Sequence, residues 1–292
     1  MEYLTESMSV SAFSRVEADA RRCVGRGVQL TRYGVLVNGR NSQNAFRTPS
    51  SIPGHMIEVS TMEAAELRTL AEVEDGHWWY KERRNILARE LRRLPNPGLA
   101  LDIGAAGGGN TWVLRAHGWR PMALEYAPTA AQVARERGID VVRADARELP
   151  LRTGSLDLVT AFDVLEHIEE DYLAAAEITR VLRPGGTALI AVPADMALWS
   201  AHDEAVNHVR RYDRTTLTDV VVKGGLVIED LWSWNVLLRP VVKLRRKSSE
   251  GSDLDDVNPF VNTGLKAIIT AERYLPVKSL PGVTLFLRAR RP

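Results

Sequence analysis

The stretch Leu99-Ala-Leu-Asp-Ile-Gly-Ala-Ala-Gly-Gly-Gly-Asn-Thr111 constrains the fold of this chain more than any other segment. An apolar strand runs directly into a loop with four glycines and then into a helix. Glycine reaches positive φ without steric cost and lets a ligand approach the backbone. The helix start that follows presents unpaired N–H groups to such a ligand. A turn without a ligand has no need of Gly107, Gly108 and Gly109 together. The alternation continues beyond the loop. Ala100–Ile103, Met122–Glu125, Val141–Arg143, Leu156–Phe162 and Thr187–Val192 read as strands. Asn110–His117, Thr129–Arg137 and Tyr172–Leu182 read as the helices between them, with Gly118 and Gly138 placed as helix-ending glycines. Strands separated by single helices predict an α/β fold with a parallel sheet and right-handed crossovers. A helix at Arg214–Lys223 and strands at Leu226–Trp232 and Val283–Ala289 complete the series.

Around this core the chain divides by texture. Residues 1–55 have no sustained period and many Gly and Pro, so they read as a poorly ordered extension; Gly34–Asn38 is the main strand signal there. Residues 56–292 read as one domain. N-terminal lid helices occupy 56–97, with a capping-box spacing at Ser60 and Glu63 and a helix over Thr61–Glu74. The core spans 98–235, a helical insertion 236–280 is split by the polar loop Ser248–Pro259, and the last strand lies within 281–292. One cysteine, Cys23, excludes an internal disulfide and a cysteine-based metal cluster. There is no basic-then-apolar leader and no run of ~18 apolar residues, so the expected compartment is the cytoplasm. A net charge of +1 argues against nucleic acid as a partner. The total conceals a split, −8 over residues 56–235 and +6 over 236–292.

Asp102 ends the first core strand and Glu125 the second. A carboxylate at the first position would repel a pyrophosphate and suits a cofactor that carries an ammonium group. A carboxylate at the second accepts both hydroxyls of a ribose. With Ala144-Asp145-Ala146 after the third strand, Leu156–Ile168, and Leu182-Arg-Pro-Gly-Gly186 before the fifth strand, the chain resembles the class I S-adenosylmethionine-dependent methyltransferases over about residues 77–290. The resemblance implies a Rossmann-like seven-stranded sheet, mostly parallel with an antiparallel last strand and helices on both faces. It implies S-adenosylmethionine as cofactor, held by Asp102, Gly104, Ala106, Gly108, Glu125, Asp145, Ala146, Phe162, Tyr80 and Arg84. Ala106 stands where the family usually has glycine or cysteine. The alternative for Asp145 is a turn residue.

Two further segments resemble a type 11-like subgroup of bacterial small-molecule, sugar and lipid-linked methyltransferases. In Gly76-His-Trp-Trp-Tyr-x-x-Arg-Arg84, Trp79 and Tyr80 suit a lid and Arg83 or Arg84 a cofactor carboxylate. Core packing is the plainer reading of Trp78 and Trp79. Ser200-Ala-His-Asp-Glu-x-x-x-His-x-Arg-Arg-Tyr212 follows the fifth strand, at the sheet edge where ligands of open α/β sheets bind. Arg210, Arg211, Tyr212 and Trp79 are thereby candidates for contacting the acceptor. A metal is not expected, because His202 and His208 are six apart, off one helical face, and no third ligand stands out. A hydroxyl acceptor needs a general base, for which His167, then His202, then His208 are the candidates; packing is the alternative for His167.

Residues 236–247 carry five basic residues and no acid, interleaved with apolar ones, with Pro240 against a long helix. They suit peripheral contact with an anionic membrane or a phosphorylated, lipid-linked acceptor, or form a solvated basic face over the pocket. The expected partner is a small-molecule or lipid-linked acceptor, methylated at oxygen. Two other functions compete. Asp102 and the Arg-Pro-Gly-Gly turn disfavour a nicotinamide-dependent oxidoreductase. Intact Asp102, Glu125 and Asp145 disfavour a non-catalytic S-adenosylmethionine-binding protein.

Overall fold

The computed structural model describes residues 28–31, 34–37, 68–69, 71, 73–74, 76–248 and 259–292. The chain divides into two compact units, Met1–Pro53 and Gly54–Pro292. In the first, β1 (Val28–Thr31) pairs antiparallel with β2 (Gly34–Val37). The second of these matches the strand signal at Gly34–Asn38. Its partner is missed because Val28-Gln-Leu-Thr alternates over only four residues. The capping-box pair Ser60 and Glu63 lies outside the described residues.

The second unit is built on a seven-stranded sheet. Its strands are β3 (Leu99–Ile103), β4 (Arg120–Glu125), β5 (Val141–Arg143), β6 (Leu156–Phe162), β7 (Leu182–Pro193), β8 (Val227–Trp234) and β9 (Thr284–Arg290). Their order is β5-β4-β3-β6-β7-β9-β8. The first five pair in parallel, and β9 inserts antiparallel between β7 and β8. The order reverses between β3 and β6, so both strands aim their carboxyl ends at one crevice, the usual ligand position of such sheets. Gly118 and Gly138 hold φ of 82° and 76° just past the helices Gly109–Ala116 and Pro128–Glu136, as helix-ending glycines should. The expected turn Arg183-Pro-Gly-Gly186 is absorbed into a longer β7 as an irregularity in its pairing with β6, with Gly185 at φ 77°.

The two faces of the sheet bury different helices. Leu101, Val159, Ala188 and Ile190 meet Ala174 and Ile178 of the helix Asp171–Val181, and Leu217 and Val221 of the helix Arg214–Lys223. Ala100, Leu158, Leu189 and Phe286 meet Ile86, Leu87 and Leu91 of the helix Trp78–Leu91. That helix is therefore a layer of the core as well as a neighbour of the site. Ion pairs tie its buried acids to the end of the chain: Glu82 to Arg273, and Glu90 to Arg288 at 2.6 Å. The insertion forms the helices Arg239–Ser248 and Pro259–Glu272. Pro240 sits in the first turn of the former, where no intrahelical N–H is lost. No helix among the described residues is long and apolar enough to cross a membrane.

Candidate active site

The glycine loop after β3 is held from below and from the side by carboxylates. Asp102 is fully buried, and it accepts from Thr111 Oγ1 at 2.6 Å and Thr160 Oγ1 at 2.7 Å. Burial pushes its pKa up to about 6, against the pull of those two bonds. Its oxygens thus anchor the loop and the next helix to β6. Glu125, at the end of β4, accepts from the Ala106 N–H and is pushed up to about 7 by burial, partly offset by that bond.

Three residues of the loop hold positive φ: Gly104 (69°), Ala106 (44°) and Gly108 (83°). A Cβ at Gly104 would lie 2.7 Å from Val164 Cγ2, and one at Gly108 would lie 2.5 Å from Ile139 Cγ1. Both positions therefore demand glycine on packing and on conformation. The residues fit a ribose-bearing, cationic cofactor. The cradle is backbone, and Glu125 stands at the adjacent strand end with its carboxylate on the loop.

The segment before the sheet supplies cations. Arg84 Nη2 donates to the Glu74 carbonyl at 2.7 Å, and its Nη1 lies 3.2 Å from where a Cβ on Gly109 would be, so it overlies the start of the next helix. Arg83 is buried beneath Trp79, its guanidinium carbon 4.2 Å from that ring and 5.5 Å from the ring of Phe162. It pairs with Asp163 at 2.5 Å, yet its Nε and Nη2 have no hydrogen-bond partner. Asp163 itself is held at φ 55° just past β6. Tyr80 packs edge-on against Trp79, and burial raises its phenol pKa. Phe162 lies in the core against Phe286, and Ala146 is buried just past β5. Asp145 is engaged by Arg147, accepting its backbone N–H at 2.8 Å and its guanidinium at 2.8 Å. This is the turn geometry that competed with an adenine role.

The histidines converge. His167 ends a short 3-10 turn after β6, and its ring is 4.7 Å from that of His208. His202 lies 6.4 Å from His208 on the other side. Burial and the neighbouring His208 lower the pKa of His167. His208 Nδ1 is 2.8 Å from Asp203 Oδ1. An ionised carboxylate only accepts, so Nδ1 carries the proton and Nε2 points toward Glu166 Oε1, 3.9 Å away. Asp203 is a fully buried hub that also accepts two bonds from Arg211, at 2.8 and 3.0 Å, and one from the Ser200 N–H at 3.0 Å. Burial opposes its ionisation, but bonds from His208 and Arg211 hold its pKa below the usual range.

Arg210, Arg211 and Tyr212, expected to contact an acceptor, are each bonded within the chain. Arg211 is committed to Asp203 and the Ala194 carbonyl, Arg210 to Asp171 and Glu169, and the buried Tyr212 donates to Asp171 at 2.7 Å. These contacts brace the segment after β7. Sequence reasoning missed Asp163, Glu166 and Asp171, whose partners are 39–80 residues away in the chain. The adjacency of Glu166 to His167 was the one local hint.

Residues 101–190 match the family model described as a methyltransferase domain. A relative from Mycolicibacterium smegmatis, named a probable S-adenosylmethionine-dependent methyltransferase, is 28% identical over 167 residues, covering 56% of this chain and 65% of its own. The tRNA (carboxymethyluridine(34)-5-O)-methyltransferase ALKBH8 of Macaca fascicularis is 30% identical over 50% of this chain and 22% of its own length. Among solved structures, Haemonchus contortus phosphoethanolamine N-methyltransferase 2 with S-adenosyl-L-methionine superposes with a TM-score of 0.51 at 19% identity, covering 72% of this chain and 52% of that one. The chain thus spans less than two thirds of the curated relatives it matches.

Proposed function

We propose that this chain, which belongs to the class I S-adenosylmethionine-dependent methyltransferases, methylates a hydroxyl or carboxyl oxygen of a small-molecule or lipid-linked acceptor. The observation that carries the reading is the loop of Gly104, Ala106 and Gly108 clasped by Glu125, beside the convergent pair His167 and His208. S-adenosylmethionine supplies an already activated methyl group. The work left to the protein is binding, alignment and, for a hydroxyl acceptor, removal of its proton. Glu125 is placed to accept from ribose hydroxyls, and its carboxylate must be ionised to take both. Arg84 above the helix start, and the unpartnered Nε and Nη2 of Arg83, are placed for a carboxylate. Trp79 and Tyr80 exclude water above them.

Proton removal falls to the cluster at the carboxyl end of β6. Asp203 fixes the tautomer of His208 so that Nε2 can accept. A relative that methylates oxygen, ALKBH8, supports that choice of atom. The insertion supports an anionic or lipid-linked acceptor, though less broadly than its composition suggests. Arg239 is spent on Asp195 and Arg246 on the Leu198 carbonyl at 2.8 Å. Val241, Leu244 and Lys243 stay outward, and Val261 and Ile268 are exposed on the second helix. The test is a transfer assay with labelled S-adenosylmethionine over sugar, polyketide and lipid extracts, with tRNA alongside. Label in a small-molecule fraction that is released by ester hydrolysis or by ether cleavage supports the reading. Label confined to tRNA contradicts the acceptor class, and label resistant to ester and ether cleavage contradicts oxygen.

A further inference from the structure

We infer that Glu166, His167 and His208 form a site for one divalent first-row metal ion, with Asp203 as its outer carboxylate. One ligand atom from each of the three residues can be chosen so that all lie within 4.8 Å of one another. Glu166 is fully buried, and neither carboxylate oxygen has a hydrogen-bond partner. A buried carboxylate left so is costly unless a proton or a cation meets it. Its oxygen points at His208 Nε2, 3.9 Å away, the nitrogen left as acceptor by the Asp203 bond.

A carboxylate–histidine pair behind the ligand nitrogen is the usual outer shell of a protein metal site, because it sets tautomer and ring orientation. Two imidazoles and a carboxylate suit Zn²⁺ or Co²⁺ and leave coordination positions open. Ligand atoms at ~2.0–2.1 Å from an ion stand closer together than these do. Binding of an ion therefore requires the three side chains to draw together. Arg83 is paired with Asp163 and Arg211 with Asp203, which offsets part of their charge near an ion.

The site borders the cofactor loop. Val164, two residues before Glu166, is what a side chain at Gly104 would strike. With the ion bound, His208 Nε2 is a ligand and no longer the base; an acceptor hydroxyl on the ion loses its proton to solvent more readily, and its oxygen then attacks the methyl carbon while the sulfur keeps the bonding pair. This role rests on the oxygen-acceptor reading above; the binding of the ion does not. Expecting a third ligand nearby in sequence hid the site, because Glu166 and His167 come from the turn after β6 while His208 comes from beyond β7.

The chelator-treated full chain is titrated with CoCl₂ and with ZnCl₂, without cofactor or acceptor, by calorimetry and by visible absorption for Co²⁺. One ion per chain with a Co²⁺ d–d band is expected. Glu166→Gln and His167→Ala should each weaken binding by at least ~10-fold, while His117→Ala at the end of another helix leaves it unchanged. His167 is exposed, so its variant keeps the fold, which circular dichroism checks. No stoichiometric binding, or equal binding by Glu166→Gln and His167→Ala, overturns the site. S-adenosylhomocysteine titrated into the same metal-free protein reads the methyltransferase assignment separately, so either can fail alone.

Discussion

At the residue scale, Glu125 makes the sharpest prediction. Its pKa of about 7 in the cofactor-free chain exceeds its ordinary 4.5 because it is buried. Folding therefore favours its protonated form. Its contribution to stability is full below pH 4.5 and fades as pH rises through about 7. Cofactor binding has the opposite sign, since the ribose needs the carboxylate. Affinity for S-adenosylhomocysteine should fall about tenfold from pH 8 to pH 6, and Glu125→Gln should bind weakly with a flat profile. A pH-independent wild type would remove the ribose role. Ala106 is the second case. Its φ of 44° costs a non-glycine residue ~1–2 kcal/mol, partly recovered through the stiffer unfolded chain. Ala106→Gly should be neutral or stabilising by up to ~1 kcal/mol in urea denaturation, and a clear loss of stability would mean the strain is absent. Arg211 is the third. Truncating it strands the buried Asp203, so Arg211→Ala should cost about 3–5 kcal/mol; a folded, stable variant with only a raised acceptor KM would restore the substrate role.

At the scale of elements, local pattern was enough for most of the fold and for little of the site. Val141–Arg143, Leu156–Phe162 and Arg214–Lys223 coincide with their expected bounds, because period and flanking glycines are local signals. Glu125 and the glycine loop were legible for the same reason, each lying at a strand end. Arg83 with Asp163, and Glu166 with His208, were not, since their pairing depends on which strands neighbour which. Arg211 and Tyr212 show the difficulty: polar residues at a ligand-binding edge look alike in sequence whether they face a ligand or brace a loop. The helix Trp78–Leu91 was read as a lid from its aromatics, while its other face carries Ile86, Leu87 and Leu91 into the core. Leu87→Ala, at a fully buried position, should therefore cost about 2–5 kcal/mol in denaturant unfolding. A loss below 1 kcal/mol would mean that the helix is only an adjunct.

For the whole molecule, the near-zero net charge is the sum of an acidic core and a basic end. Asp102, Glu125, Asp163 and Glu166 lie at or just past the ends of β3, β4 and β6, beside the crevice where a cationic cofactor would sit. The basic end puts Lys243 among the exposed Val241 and Leu244. Sedimentation with anionic vesicles should show binding that weakens between low and physiological salt, and Leu244→Glu should reduce it. Equal binding to neutral vesicles, or none, would confine the insertion to covering the pocket.

The central claim is that the crevice between β3 and β6 holds S-adenosylmethionine through its backbone loop and Glu125. Calorimetric titration of the full chain with S-adenosylhomocysteine, against NADH as the competing nucleotide, tests it most directly. One binding event per chain is expected for S-adenosylhomocysteine, at least ~10-fold weaker in Glu125→Ala, and none for NADH. NADH binding, or no heat with the sulfur nucleoside in the folded protein, would contradict it.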